Sequence, residues 1–142
     1  LIIMADLSGS STASVSINGV EYKMNTSEAV TGLTDAIKRT QTVTTTKANL
    51  VTFGAAAGAG QLIALDFFQL KNHDTTNFVT VGFESASDIA YIKVPAGRTI
   101  KINTKELEAF SDGSAFSAFT NLTAISCKAD TASCVVEFLA CD

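Results

Sequence analysis

The sequence predicts a mainly all-β chain, an antiparallel β-sandwich of jelly-roll-like type carrying one short helix. Three observations carry that expectation. Apolar and polar residues alternate with a period of two in many short segments, turn signals recur at short intervals, and only one segment shows helical spacing. With 142 residues, 46% of them hydrophobic and 17% charged, the chain can bury one core of ordinary size. The organisation expected is an N-terminal extended arm over residues 1–12 and a single β-sandwich domain over 13–142.

The first element is a hairpin. Ala13, Val15 and Ile17 alternate with Ser14, Ser16 and Asn18, and Val20, Tyr22 and Met24 alternate with Glu21 and Lys23. Asn18-Gly19 stands between them, and a type I′ turn needs positive φ at both central positions, which Asn and Gly tolerate best. That turn pairs Ile17 with Val20, Val15 with Tyr22 and Ala13 with Met24, so one face is apolar throughout. The helix is expected over about Thr26–Arg39. Asn25 followed by Glu28 fits a capping pattern, Val30, Leu33 and Ile37 share one stripe, and Lys38 and Arg39 sit where a helix C-terminus favours positive charge. Gly32 opposes this helix by roughly 1 kcal/mol relative to alanine.

Beyond it, the β-branched run Gln41–Thr46 and the segment Asn49–Phe53 read as strands, and the run from Gly54 to Gly60 as a low-complexity connection. Gln61–Leu70 is apolar on both faces, as a central strand would be. A turn over Lys71–Asn77 leads to Phe78–Phe83, then to Ile89–Val94, a Pro95-Ala96-Gly97 reversal, and Thr99–Asn103 with Ile100 and Ile102 inward. Thr104–Asn121, with Phe110, Phe116 and Phe119, is too long for a tight turn and reads as a loop that packs on a neighbour. The chain closes with Leu122–Ala129 and Cys134–Cys141, expected as a hairpin that places Cys127 opposite Cys134, Ile125 opposite Val136 and Thr123 opposite Phe138.

Little in this chain points to catalysis or to a cofactor. His73 is the single histidine, beside Asp74 in a polar turn, and reads as a solvated turn residue. The three cysteines, spaced by seven, match no zinc pattern, and their odd number excludes complete intrachain pairing; free thiols and cytosolic folding are expected. The glycine-rich run lacks the Gly-Lys-Ser/Thr ending of a phosphate loop. Glu106 and Glu108 share a face of an extended segment without any calcium-loop pattern around them. Asn25-Thr26-Ser27 and Asn121-Leu122-Thr123 are formal glycosylation sequons, which matter only in a secreted protein. A net charge of −4 without a basic run disfavours direct nucleic-acid binding. No segment reaches the ~20 apolar residues of a membrane span.

One resemblance bears on function. Leu70-Lys71-Asn72-His73-Asp74-Thr75-Thr76-Asn77-Phe78-Val79-Thr80-Val81-Gly82 resembles a strand–turn–strand pattern of small virion proteins of tailed bacteriophages. Val94-Pro95-Ala96-Gly97-Arg98 is similar to their following turn with one inserted Ala. The closing stretch Cys127-Lys128-Ala129-Asp130-Thr131-Ala132-Ser133-Cys134-Val135-Val136-Glu137-Phe138-Leu139 is similar to their last hairpin. The resemblance covers about residues 62–142, and the long Thr104–Asn121 segment departs from it. It implies a non-enzymatic virion structural protein, a capsid decoration (cement) or minor capsid protein present in multiple copies. Neck or tail components are the close alternative, and a β-sandwich adhesin or carbohydrate-binding module the more distant one. The implied partners are other copies of the chain, as a trimer or ring, and the major capsid protein or other virion proteins; the implied location is the virion, after folding and assembly in the host cytoplasm. Two contact surfaces are expected on that reading. One is the arm with Leu1, Ile2, Ile3, Met4 and Leu7, and the other is the loop with Phe110, Phe116 and Phe119.

Overall fold

The computed structural model describes residues 5–55, 58–87, 89–104 and 122–142. Two compact units divide between Thr34 and Asp35. The first unit is the hairpin of β1 (Ala5–Ile17) and β2 (Val20–Leu33). Asn18 and Gly19 take φ values of 52° and 77°, the pair of positive values that a type I′ turn demands. The register is the one the alternation dictates: Ile17 pairs with Val20, Val15 with Tyr22 and Ala13 with Met24. Pairing continues far beyond the expected hairpin, with Ser11 opposite Thr26 and Leu7 opposite Val30. Residues 5–12 belong to β1.

The helix expected over Thr26–Arg39 does not form. Residues 26–33 prolong β2, and β3 (Ala36–Val43) follows after Thr34-Asp35. Gly32 has a φ of 73°, which no right-handed helix contains. The stripe Val30, Leu33, Ile37 mimics helical spacing, but its members serve separate sheets. Val30 pairs with Leu7 in the hairpin, and Ile37 pairs with Ala140 in the sandwich. Tertiary pairing overrides a weak local preference here.

The second unit holds β3, β4 (Ala48–Phe53), β5 (Gln61–Leu62), β6 (Phe67–Asn72), β7 (Val79–Ser85), β8 (Ile89–Val94), β9 (Thr99–Asn103), β10 (Leu122–Ala129) and β11 (Cys134–Cys141). They form one sheet in the order β5-β4-β10-β7-β8 and another in the order β3-β11-β6-β9. Apart from the two-residue β5, which runs parallel to β4, neighbours nest in chain order. β3 lies against β11, β4 against β10, β6 against β9 and β7 against β8, all antiparallel. First with last, second with second-last, and so inward is the connectivity of an eight-stranded jelly roll.

Period-two alternation builds the core between the two sheets. Phe68, Leu70, Val136, Phe138 and Ala140 come from one sheet, and Val79, Val81, Phe83, Ile125 and Cys127 from the other; all are buried in one cluster. Phe68 meets Phe83 edge to face across the core, with ring centroids 5.8 Å apart at 89°, the geometry that the ring quadrupoles favour. Ile100 and Ile102 pack against the same cluster.

Two sequence expectations fail for one shared reason. Gln61–Leu70 is not one central strand: β5 and β6 belong to different sheets, and the chain turns between them. Likewise β10 and β11 are not a hairpin. β10 pairs with β4 and β7, while β11 pairs with β3 and β6. In each case the chain crosses from one sheet to the other, and a crossing preserves the apolar pattern that suggests continuity or pairing. Cys127 and Cys134 thus lie in opposite sheets. Both are buried free thiols, as is Cys141, and burial pushes the Cys127 thiol up to about 12.

Candidate assembly surface

Because successive strands reverse direction, alternate connections gather at one end of the sandwich. Ala129 N–H donates to Thr44 O, Asp130 N–H to Phe78 O, and Asn72 N–H to Arg98 O. Thr131 Oγ1 donates to Asn77 Oδ1 at 2.8 Å. These bonds tie the turns after β3, β6, β8 and β10 into one rim. At its centre is Asn72, wholly buried. Its Nδ2 donates to Asn77 O (2.9 Å) and Val94 O (3.2 Å), and its Oδ1 accepts from Asp74 N–H at 3.0 Å. Asp74 continues the knot: its Oδ1 accepts from Thr76 N–H (2.7 Å) and Asn77 N–H (2.5 Å). Those donors hold the Asp74 carboxyl below the usual carboxylate range. Residues 70–82, 94–98 and 127–139 all contribute to this rim.

His73 sits on the outer face of the four-stranded sheet, where its Nε2 is 3.1 Å from Glu137 Oε2, and Lys38 Nζ is 3.5 Å from Glu137 Oε1. The hydrogen bond from His73, then the hydrogen bond and charge of Lys38, lower the Glu137 carboxyl. His73, Glu137 and Lys38 thus make one polar cluster on the surface of that sheet.

The outer face of the five-stranded sheet carries a half-open depression of about 350 Å³, lined in part by Lys47, Phe78, Tyr91, Ser126 and Lys128. Ser126, Gly82 and Tyr91 lie side by side in register across β10, β7 and β8. A Cβ added at Gly82 would stand 2.7 Å from Ser126 Oγ and 3.1 Å from the Tyr91 ring, so glycine is what lets the ring lie down over the strand. Glu84 accepts from Lys47 Nζ at 2.8 Å and from Ser126 Oγ at 2.5 Å. These two donors lower its carboxyl, Lys47 first. Lys93 Nζ lies 3.9 Å from the centre of the Phe78 ring, a cation–π distance.

The hairpin presents the most unusual surface. Val15, Ile17, Val20, Tyr22 and Met24 share one face near its tip and are between 51 and 63% exposed. Nearer its base Leu7 is half-buried, and Val30 is buried. Of the residues expected at contacts, only Leu7 is described, inside β1; Leu1, Ile2, Ile3, Met4, Phe110, Phe116 and Phe119 lie outside the described residues, as do Glu106 and Glu108. The apolar tip was legible as a hairpin face from its alternation. Its exposure was not, because alternation says which residues share a face and not whether anything covers it.

Among the described residues, no group of three His, Cys, Asp or Glu side chains is placed to hold a metal ion, and no helix is long and apolar enough to cross a membrane. Comparison with protein-family models, with curated proteins and with solved structures found no match for this chain.

Proposed function

We propose that this chain is a non-enzymatic structural protein of a tailed-phage virion that works through contacts between copies, with capsid decoration or minor capsid protein as its specific role. The carrying observation is the hairpin. Strands of 13 and 14 residues hold five large apolar side chains in water on one face. A two-stranded hairpin is marginally stable at best by itself, and a contiguous exposed apolar patch marks a contact site. The jelly roll supports the reading as a rigid body on which such a contact can be mounted, and it is an architecture found in capsid domains as well as in lectins. The motif resemblance over residues 62–142 supports the virion setting. On this reading the partners are further copies, as a trimer or ring, together with the major capsid protein or a neck or tail neighbour. Many copies let modest individual contacts act together.

The test is the mass of the intact protein in solution across a wide concentration range, followed by its location in density of the assembled particle. Association that grows with concentration is expected. A chain that stays monomeric at millimolar concentration would overturn the reading.

A second reading, a carbohydrate-binding module, draws on the depression beside Tyr91, where an aromatic ring, lysines and hydroxyls converge. Binding on a glycan array that Tyr91→Ala abolishes would establish it in place of the first.

A further inference from the structure

The free edge of the hairpin carries a register of its own. A two-residue type I′ loop closes on a hydrogen-bonded pair, so the pairs Ile17·Val20, Val15·Tyr22 and Ala13·Met24 turn their backbone N–H and C=O groups toward each other. The backbone groups of Glu21 and Lys23 then point outward, along the side of β2 that has no neighbour in this two-stranded sheet. Such an edge is a template for another strand.

We infer that this edge pairs with the same edge of a second copy, antiparallel, about a twofold axis through Tyr22. The inference rests on the copy-to-copy assembly proposed above and specifies one contact within it. Three constraints select the register. Outward-pointing backbone groups must oppose outward-pointing ones, so odd-numbered residues meet odd-numbered ones. That parity keeps Val20, Tyr22 and Met24 of both copies on one continuous apolar face. Charge then chooses among the registers that remain. Centring on Glu21 sets two carboxylates directly opposite each other, and centring on Lys23 sets two ammonium groups opposite. Centring on Tyr22 instead places Glu21 against the partner's Lys23 and Lys23 against the partner's Glu21.

The same register sets Val20 against the partner's Met24 and Tyr22 against the partner's Tyr22. Sliding further, to centre on Met24, would put Tyr22 against the partner's Thr26 and break the apolar match. Inside its own hairpin Glu21 faces Ser16 and Lys23 faces Ser14, and among the described residues neither enters an ion pair. Their charges are therefore available to a partner. The opposite edge, along β1, turns Thr12, Ser14 and Ser16 outward and offers no charge to fix a register. An isologous contact of this kind closes on two copies. It can join one trimer or ring to the next.

Position-specific cross-linking of the full chain tests the register. Residues facing in a non-hydrogen-bonded antiparallel pair have Cα atoms ≈ 4.5 Å apart, within disulfide range. Under mild oxidation Tyr22→Cys is expected to give a covalent dimer. Val20→Cys and Met24→Cys are each expected to fail alone and to link when mixed, with the parent protein and its three buried thiols as the blank. Glu21→Lys or Lys23→Glu in the Tyr22→Cys background should slow linking about tenfold, since two symmetric ion pairs become like-charge contacts. The double reversal should restore the rate. If sedimentation shows copies associating while Tyr22→Cys fails to link, or links no faster than Val20→Cys alone, this register is wrong and the assembly reading stands. If no association occurs at any concentration, both fall.

Discussion

In the hairpin, Val15, Ile17, Val20, Tyr22 and Met24 line one face and stay more than half exposed. In the sandwich, Phe68, Leu70, Val136 and Phe138 follow the same period of two and are removed from water almost completely. The difference lies in what faces each sheet. Each sheet of the jelly roll has the other to cover it, and burying a Phe or Leu side chain is worth about 1.5–3 kcal/mol. The hairpin tip, with the same chemistry, has gained only part of this. An alternating strand therefore states a capacity for burial, and only a second surface realises it. In the sandwich the chain supplies that surface; at the hairpin tip, on the reading proposed here, another copy does.

Mutations should separate the two regions sharply. The largest effect is expected at the core: Phe138→Ala should cost about 3–5 kcal/mol in denaturant unfolding, because Phe138 is buried against Phe68 with ring centroids 6.4 Å apart. Next comes the rim of turns. Asn72→Ala strips a partner from the buried Val94 carbonyl and from the part-buried Asn77 carbonyl and should cost about 2–3 kcal/mol. Gly82→Ala should follow at about 1–2 kcal/mol, since the new methyl must displace Ser126 or Tyr91. The smallest effect is expected at the hairpin tip. Met24→Ser should change unfolding of the dilute monomer by less than about 0.5 kcal/mol, while weakening association measured by sedimentation. A tip substitution that unfolds the monomer as severely as Phe138→Ala would erase the contrast between the two regions.

Acid should act on the rim. The Asp74 carboxyl is held below its ordinary value by the Asn77 amide first and then the Thr76 amide. Its contribution is therefore complete above the unfolded-state value near ~4 and is lost as pH falls through the lower folded-state value. Unfolding midpoints should drop on acidification through that window, and Asp74→Asn should flatten the dependence. An unchanged acid profile in that variant would remove Asp74 from the account of how the rim is held.

Much of the fold can be read from local chemistry. Asn18-Gly19 names its own turn type, and the alternation on either side fixes the register of Ile17 with Val20 and of Val15 with Tyr22. The reversal at Pro95-Ala96-Gly97 and the inward Ile100 and Ile102 are equally local. The sequence misleads where the answer depends on distant segments. Val30, Leu33 and Ile37 have helical spacing, yet their pairing partners, Leu7 for Val30 and Ala140 for Ile37, lie 23 and 103 residues away in the chain. The apolar run from Gln61 to Leu70 hides a crossing between sheets, because a residue facing the core from either sheet is equally apolar. The candidate surface was half legible: its side chains and their common face follow from the alternation, and its exposure does not.

What the amino-acid order determines by itself is the periodicity, and with it the strands, the tight turns and the side of each strand that avoids water. What only the tertiary structure decides is which strands become neighbours. The nesting of β3 with β11 and of β4 with β10, the placement of Cys127 and Cys134 in opposite sheets and the bare apolar face of the hairpin all follow from that choice. The physical reason is range: turn geometry and alternation act over two to four residues, whereas sheet pairing and burial are settled by surfaces that meet only once the whole chain has folded.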